Sequence, residues 1–155
     1  DGDEGSFEIF TELENLLEED YRHPIPTGVG GLDSILNGGL AKGEIGVVLA
    51  PTGVGKTTML TRFANTAFNM GYNVLQIFFE DNPKIIQRKH FTCWTGIPNN
   101  ELTDHKETVL DKADEMKKTG GKLILKKLPS DEMSMLQIKN QVRKITIFIT
   151  MRAQN

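Results

Sequence analysis

The chain predicts an α/β protein, a parallel sheet with helices on both faces. Three observations carry that expectation. A β-branched run, Glu44 to Leu49, leads straight into a glycine-bearing loop, and the loop opens a segment with helical periodicity. Further apolar runs at Asn73–Phe79, Leu123–Leu128 and Thr146–Thr150 alternate with helical stretches. Strands separated by helices imply right-handed crossovers and a sheet covered on both sides.

The elements follow in order. Ser6 can cap a helix that places Phe7, Phe10, Leu13, Leu16 and Leu17 on one stripe. That stripe must be buried, on its own domain or on a neighbouring subunit. Tyr21 to Pro26 contains two prolines and reads as an extended linker. A short helical turn fenced by glycines spans Thr27 to Leu40, and Lys42-Gly43-Glu44 is a turn. Leu60, Phe63, Ala64, Ala67 and Phe68 recur at helical spacing until Gly71 ends the helix. Pro83 fits the first turn of the next helix, with Ile85, Ile86, Lys89 and Phe91, capped by Asp81 or Asn82. A charged helix over 101–118 is expected to use Val109, Leu110, Ala113 and Met116, with Gly120-Gly121 breaking it. Ser134 can start a last helix carrying Ile138, Val142 and Ile145.

Composition bounds the function. At 155 residues with 38% hydrophobic and 25% charged residues, one domain with an ordinary core is expected. No run approaches the roughly 18 apolar residues of a membrane span, so a cytoplasmic protein is the simplest expectation. The single cysteine, Cys93, excludes an intrachain disulfide and reads as a core residue beside Trp94. His23, His90 and His105 lack zinc-ligand spacing. Nine carboxylates and no base lie in residues 1–20, which leaves twelve acids against eighteen Lys and Arg, a net +6, in the remainder. A basic body behind an acidic arm permits nucleic-acid binding, although the cluster Lys117, Lys118, Lys122, Lys126 and Lys127 also suits a solvated face.

The chemistry is concentrated in Ala50-Pro51-Thr52-Gly53-Val54-Gly55-Lys56-Thr57-Thr58. Backbone N–H groups at the start of a helix, a lysine within reach of β/γ-phosphates and a threonine hydroxyl able to ligate Mg²⁺ form a nucleotide-phosphate cradle. Gly53 and Gly55 allow the backbone a close approach to phosphate. Ala50 replaces the first glycine of the usual pattern. Hydrolysis needs a group that orients water, and Glu80 is the leading candidate because it ends the strand after the loop helix. Asp81 is the runner-up.

From Ile25-Pro26-Thr27-Gly28 through Leu32-Asp33, Gly38-Gly39-Leu40, Lys42-Gly43-Glu44 and Leu49 to Thr57, the chain resembles the RecA-like P-loop ATPase core of DnaB-type replicative helicases, above all the tailed-phage forms. The resemblance continues through Val74 to Glu80, Gly121 to Leu125 and the Ser134–Ile145 helix. It implies a three-layer parallel sheet truncated at the C-terminal end, residues 1–24 as linker helix and linker, and residues 25–155 as the ATPase domain. It also implies ATP and Mg²⁺ as cofactors, Glu80 and Lys56 as catalytic residues, and Thr57 on the metal. The expected partners are single-stranded DNA and other copies of the chain in a hexameric ring, with no membrane. The family ends its next strand in a Mg²⁺-supporting aspartate, whereas Thr150-Met151-Arg152 stands here. Three functions follow as expectations: a DNA-translocating motor, a KaiC- or RadA-like ATPase, for which Phe79 to Pro83 is also a fair match, or an inactive nucleotide-binding assembly module.

Overall fold

A run of four apolar residues about Gln76, flanked by turn residues, makes the central strand. The computed structural model describes residue 10, residues 22–51, 53–79 and 81–128, and the backbone of 146–150. The helices expected at 6–19 and 134–145, together with Thr52 and Glu80, lie outside the described residues. In chain order the elements are α1 (Gly30–Ile35), α2 (Lys56–Asn69), β1 (Val74–Phe78), α3 (Pro83–Thr95), α4 (Lys106–Met116) with a 3-10 turn (Lys117–Thr119), β2 (Leu123–Lys127) and β3 (Thr146–Thr150).

The sheet order is β2-β1-β3, and both pairings are parallel. Val74 sits opposite Leu123 on one side and Thr146 on the other, and Phe78 opposite Lys127 and Thr150. Every residue of β1 is buried, so both its faces are covered and the strand reads as an apolar run interrupted only by Gln76, without alternation. β2 carries Lys126 and Lys127, charges suited to a less buried strand.

Helix α2 buries the expected stripe of Phe63, Ala64, Ala67 and Phe68. Ala64, Ala67 and Phe68 pack with Val74 and Met116, and Trp94 of α3 closes on Phe68 at 5.7 Å between ring centroids. Gly71, at φ +87°, ends the helix as expected, its N–H donating to the Phe68 carbonyl. Asn82 caps α3, its Oδ1 accepting from the Lys84 N–H at 2.9 Å, with Pro83 in the first turn. Ile86 is fully buried while Ile85 faces solvent.

Two expectations are corrected. Residues 44–49 do not form a strand: Ile45, Val47 and Leu49 are 87%, 74% and 86% exposed. A strand exists only by its ladder, and this run pairs with none of β1, β2 and β3. The charged helix starts at Lys106 rather than 101, because Leu102 is buried within a string of turns and Asp104 donates its N–H to the Glu101 carbonyl. Within α4, Leu110 is exposed and Met116 carries the core contact.

Candidate functional site

The glycine loop is shaped by its dihedrals. Gly53 lies at φ +81° and Gly55 at φ +104°, the left-handed region in which a side-chain-bearing residue costs about 1–2 kcal/mol. A Cβ built on either meets nothing within 4 Å, so the need for glycine inside the chain is conformational and not a matter of crowding. Gly55 is the N-cap of α2, no side chain caps that end, and its first turn holds no acidic residue. The first-turn N–H groups therefore lack intrahelical acceptors and sit at the positive end of the helix dipole, a disposition suited to an anion.

Lys56 folds back over the loop, its Nζ donating to the Ala50 carbonyl at 2.6 Å. A carbonyl is supplied by alanine as well as by glycine, so the sequence departure at Ala50 leaves this contact intact. Lys56 and Thr57 are half-buried, while Pro51, Gly53, Val54, Gly55 and Thr58 are exposed. The structure thus brings Ala50 and Lys56 together across the loop. Glu80 follows β1 by two positions in sequence, and its neighbour Asp81 is half-buried. Among the described residues no group of three His, Cys, Asp or Glu could hold a metal ion.

Two clips hold the segment before the loop. Arg22 meets Glu44 with both ends of its fork, and the same guanidinium donates to the carbonyls of Leu36, Asn37 and Gly39 at the end of α1. The Arg22 hydrogen bond, then the Ala41 N–H, holds the Glu44 carboxyl down at about 2. Asp33 accepts from the Thr27 N–H and hydroxyl, both at 2.6 Å, and from the Gly28 N–H at 3.1 Å. The Thr27 hydroxyl is the leading cause of its lowered pKa. Thr66 of α2 donates to the Thr27 carbonyl at 3.3 Å, which ties this clip to the loop helix. Gly28 allows that approach: a Cβ there would stand 2.2 Å from Thr66 Oγ1.

No motif in the sequence assigns a role to Arg22 or to the Thr27–Asp33 pair. The spacing of Thr27-Gly28 and Asp33 carries a local signal, since Asp side chains habitually bind nearby backbone N–H groups. Arg22 and Glu44 lie 22 residues apart, and no local pattern joins them.

Comparison with known proteins adds the family. A family model described as the ATPase KaiC matches residues 25–152. The chain is 35% identical over 78 residues to the DNA repair protein RadA of Rickettsia felis, covering 50% of this chain and 17% of that protein. It is 39% identical over 57 residues to the DNA repair protein RadA of Mycolicibacterium smegmatis, covering 37% and 12%. The DNA repair protein RadA of Mycobacterium tuberculosis (strain CDC 1551 / Oshkosh) is 30% identical over 92 residues, covering 57% and 19%. The chain thus spans less than a fifth of the length of these curated relatives. Among the described residues no helix is long and apolar enough to cross a membrane. With the family model running from the Ile25 bridge through β3 and taking in the whole glycine loop, the chain belongs to the KaiC family of RecA-like ATPases.

Proposed function

We propose that this chain is the nucleotide-binding core of an ATP-hydrolysing protein that acts on DNA in the manner of a RadA-like repair ATPase. The loop carries the reading: positive-φ glycines at 53 and 55 lead into an uncapped helix N-terminus with Lys56 folded across them. Those donors and that cation fit the phosphates of a nucleotide. Similarity to proteins named for DNA repair supports the choice of DNA as the polymer.

In this reading the N–H groups from Gly53 to Thr58 cradle the phosphates, Lys56 exchanges the Ala50 carbonyl for phosphate oxygens, and the Thr57 hydroxyl ligates Mg²⁺. Mg·ATP supplies the phosphoryl group and the charge that neutralises its oxygens. Glu80, past the carboxyl end of β1, orients the attacking water. Residues 25–155 constitute the ATPase domain and residues 1–24 an arm that docks on a second copy. A replicative helicase, ring-forming and acting on single-stranded DNA, is the second reading, favoured by the resemblance of residues 25–145.

Calorimetric titration of Mg·ATP into the parent and Lys56→Ala proteins tests the core claim. The parent binds, and K56A binds at least about tenfold more weakly with its thermal unfolding unchanged. Equal affinities would sink the proposal. Steady-state hydrolysis with and without single-stranded DNA, beside an unwinding assay on a forked duplex, separates the two readings: fork unwinding is the outcome of the helicase reading, and strand-stimulated hydrolysis without it that of the first.

A further inference from the structure

Four polar side chains are buried together between α2, β1 and α3. Thr61 and Gln76 are 0% exposed, His90 2% and Asn65 3%. His90 Nδ1 meets Asn65 Oδ1, His90 Nε2 lies 2.8 Å from the Gln76 amide, and that amide lies 3.3 Å from Thr61 Oγ1. Burial pushes the His90 pKa down to about 4, so the ring is neutral at ordinary pH and has one donor and one acceptor. With Nε2–H donating to the Gln76 oxygen and the Gln76 NH₂ donating to the Thr61 hydroxyl, Nδ1 accepts from the Asn65 NH₂ once that amide takes the half-turn that gives its otherwise unpartnered buried nitrogen a partner. Both ring nitrogens and both amide nitrogens of the network then have partners.

Apolar groups of the same volume could fill this space, and they would pack without fixing direction. Hydrogen bonds fix it. Thr57, Thr61 and Asn65 recur every four residues along one stripe of α2, so Thr61 stands one turn, about 6 Å, beyond the threonine at the mouth of the phosphate loop. Gln76 lies at the middle of β1, the strand that leads toward Glu80, and His90 lies on the helix that follows. The network therefore spans the three elements that flank the candidate site.

We propose that His90 is a positioning residue that, through Asn65, Gln76 and Thr61, fixes the axial setting of α2 against β1 and α3 and so holds the Lys56–Thr57 end of the helix in register with the carboxyl end of β1. This rests on the nucleotide-binding reading of the loop. The network touches no nucleotide itself, its nearest member being a full turn from Thr57.

The test compares nucleotide affinity with folding in the full chain. Four proteins are titrated with Mg·ATP and melted: the parent, His90→Leu, His90→Gln, and the all-apolar set Thr61→Val, Asn65→Leu, Gln76→Met and His90→Leu. The all-apolar protein removes every side-chain polar atom of the network together, so it keeps a cooperative melt near that of the parent while binding about tenfold more weakly, because the loop helix is free to shift. H90Q, whose amide offers one donor and one acceptor, returns affinity to within roughly threefold of the parent, and H90L does not. The proposal is overturned if the all-apolar protein binds as the parent does, or if affinity is lost only in proportion to lost fold. A parent that binds no better than K56A defeats the reading of the loop instead.

Discussion

Arg22 and Glu44 form a two-pronged ion pair, Nε to Oε1 at 2.8 Å and the second guanidinium nitrogen to Oε2 at 2.9 Å, that joins the segment before α1 to the start of the run leading into the glycine loop. The same arginine donates to three carbonyls at and beyond the end of α1, which no lysine could satisfy in that planar geometry. Arg22→Ala is expected to lower the thermal midpoint by roughly 3–6 °C, with Arg22→Lys recovering less than half of the loss. Differential scanning calorimetry checks it, and an unchanged midpoint in R22A would show that the clip is ornamental.

Gly28 combines φ +80° with a position where a Cβ would strike Thr66 Oγ1. Gly28→Ala is therefore destabilising by about 2–3 kcal/mol, the sum of left-handed strain and crowding. Adding Thr66→Ala removes the crowding but leaves the dihedral strain, so the double variant recovers part of the stability and not all of it. Denaturant titrations of the four proteins in the cycle give the answer. Full recovery would mean that the backbone relaxes freely at Gly28.

The buried ring of His90 gives stability a pH signature. Its pKa is lowered from 6.5 to about 4, so between those values the unfolded chain binds a proton that the folded chain refuses. The contribution is complete above about pH 6.5, declines as pH falls through the window, and is exhausted near pH 4, a total on the order of 3 kcal/mol. His90→Gln removes this component and flattens the profile above pH 4.5. A parent and H90Q profile of identical slope would place a proton on His90 in the folded state.

Ile45, Val47 and Leu49 project from a segment with no described pairing strand. Backbone amides of residues 45–50 should then exchange with deuterium as fast as a surface loop, while those of β1 remain protected. Peptide-resolved exchange measures this. Protection of 45–50 equal to that of β1 would place the run in a ladder.

What the sequence determined by itself was local. Gly53, Gly55 and Lys56 are neighbours, and their dihedral freedom and charge follow from residue type alone, so the loop could be read without a fold. The stripe of α2, the cap at Asn82, the stop at Gly71 and the buried run of β1 also rest on periodicity or turn chemistry within a few residues. Tertiary structure decided the rest. His90 found Gln76 at a separation of 14 residues and Asn65 at 25, and Arg22 found Glu44 at 22, pairings that depend on which elements pack together. The run from Glu44 to Leu49 has every local property of a strand, yet a strand forms only where a neighbour's backbone pairs with it, and none of β1, β2 and β3 pairs with this run. Side-chain chemistry and short-range periodicity are written in order along the chain, whereas hydrogen-bond partners across the core are set only when the elements meet.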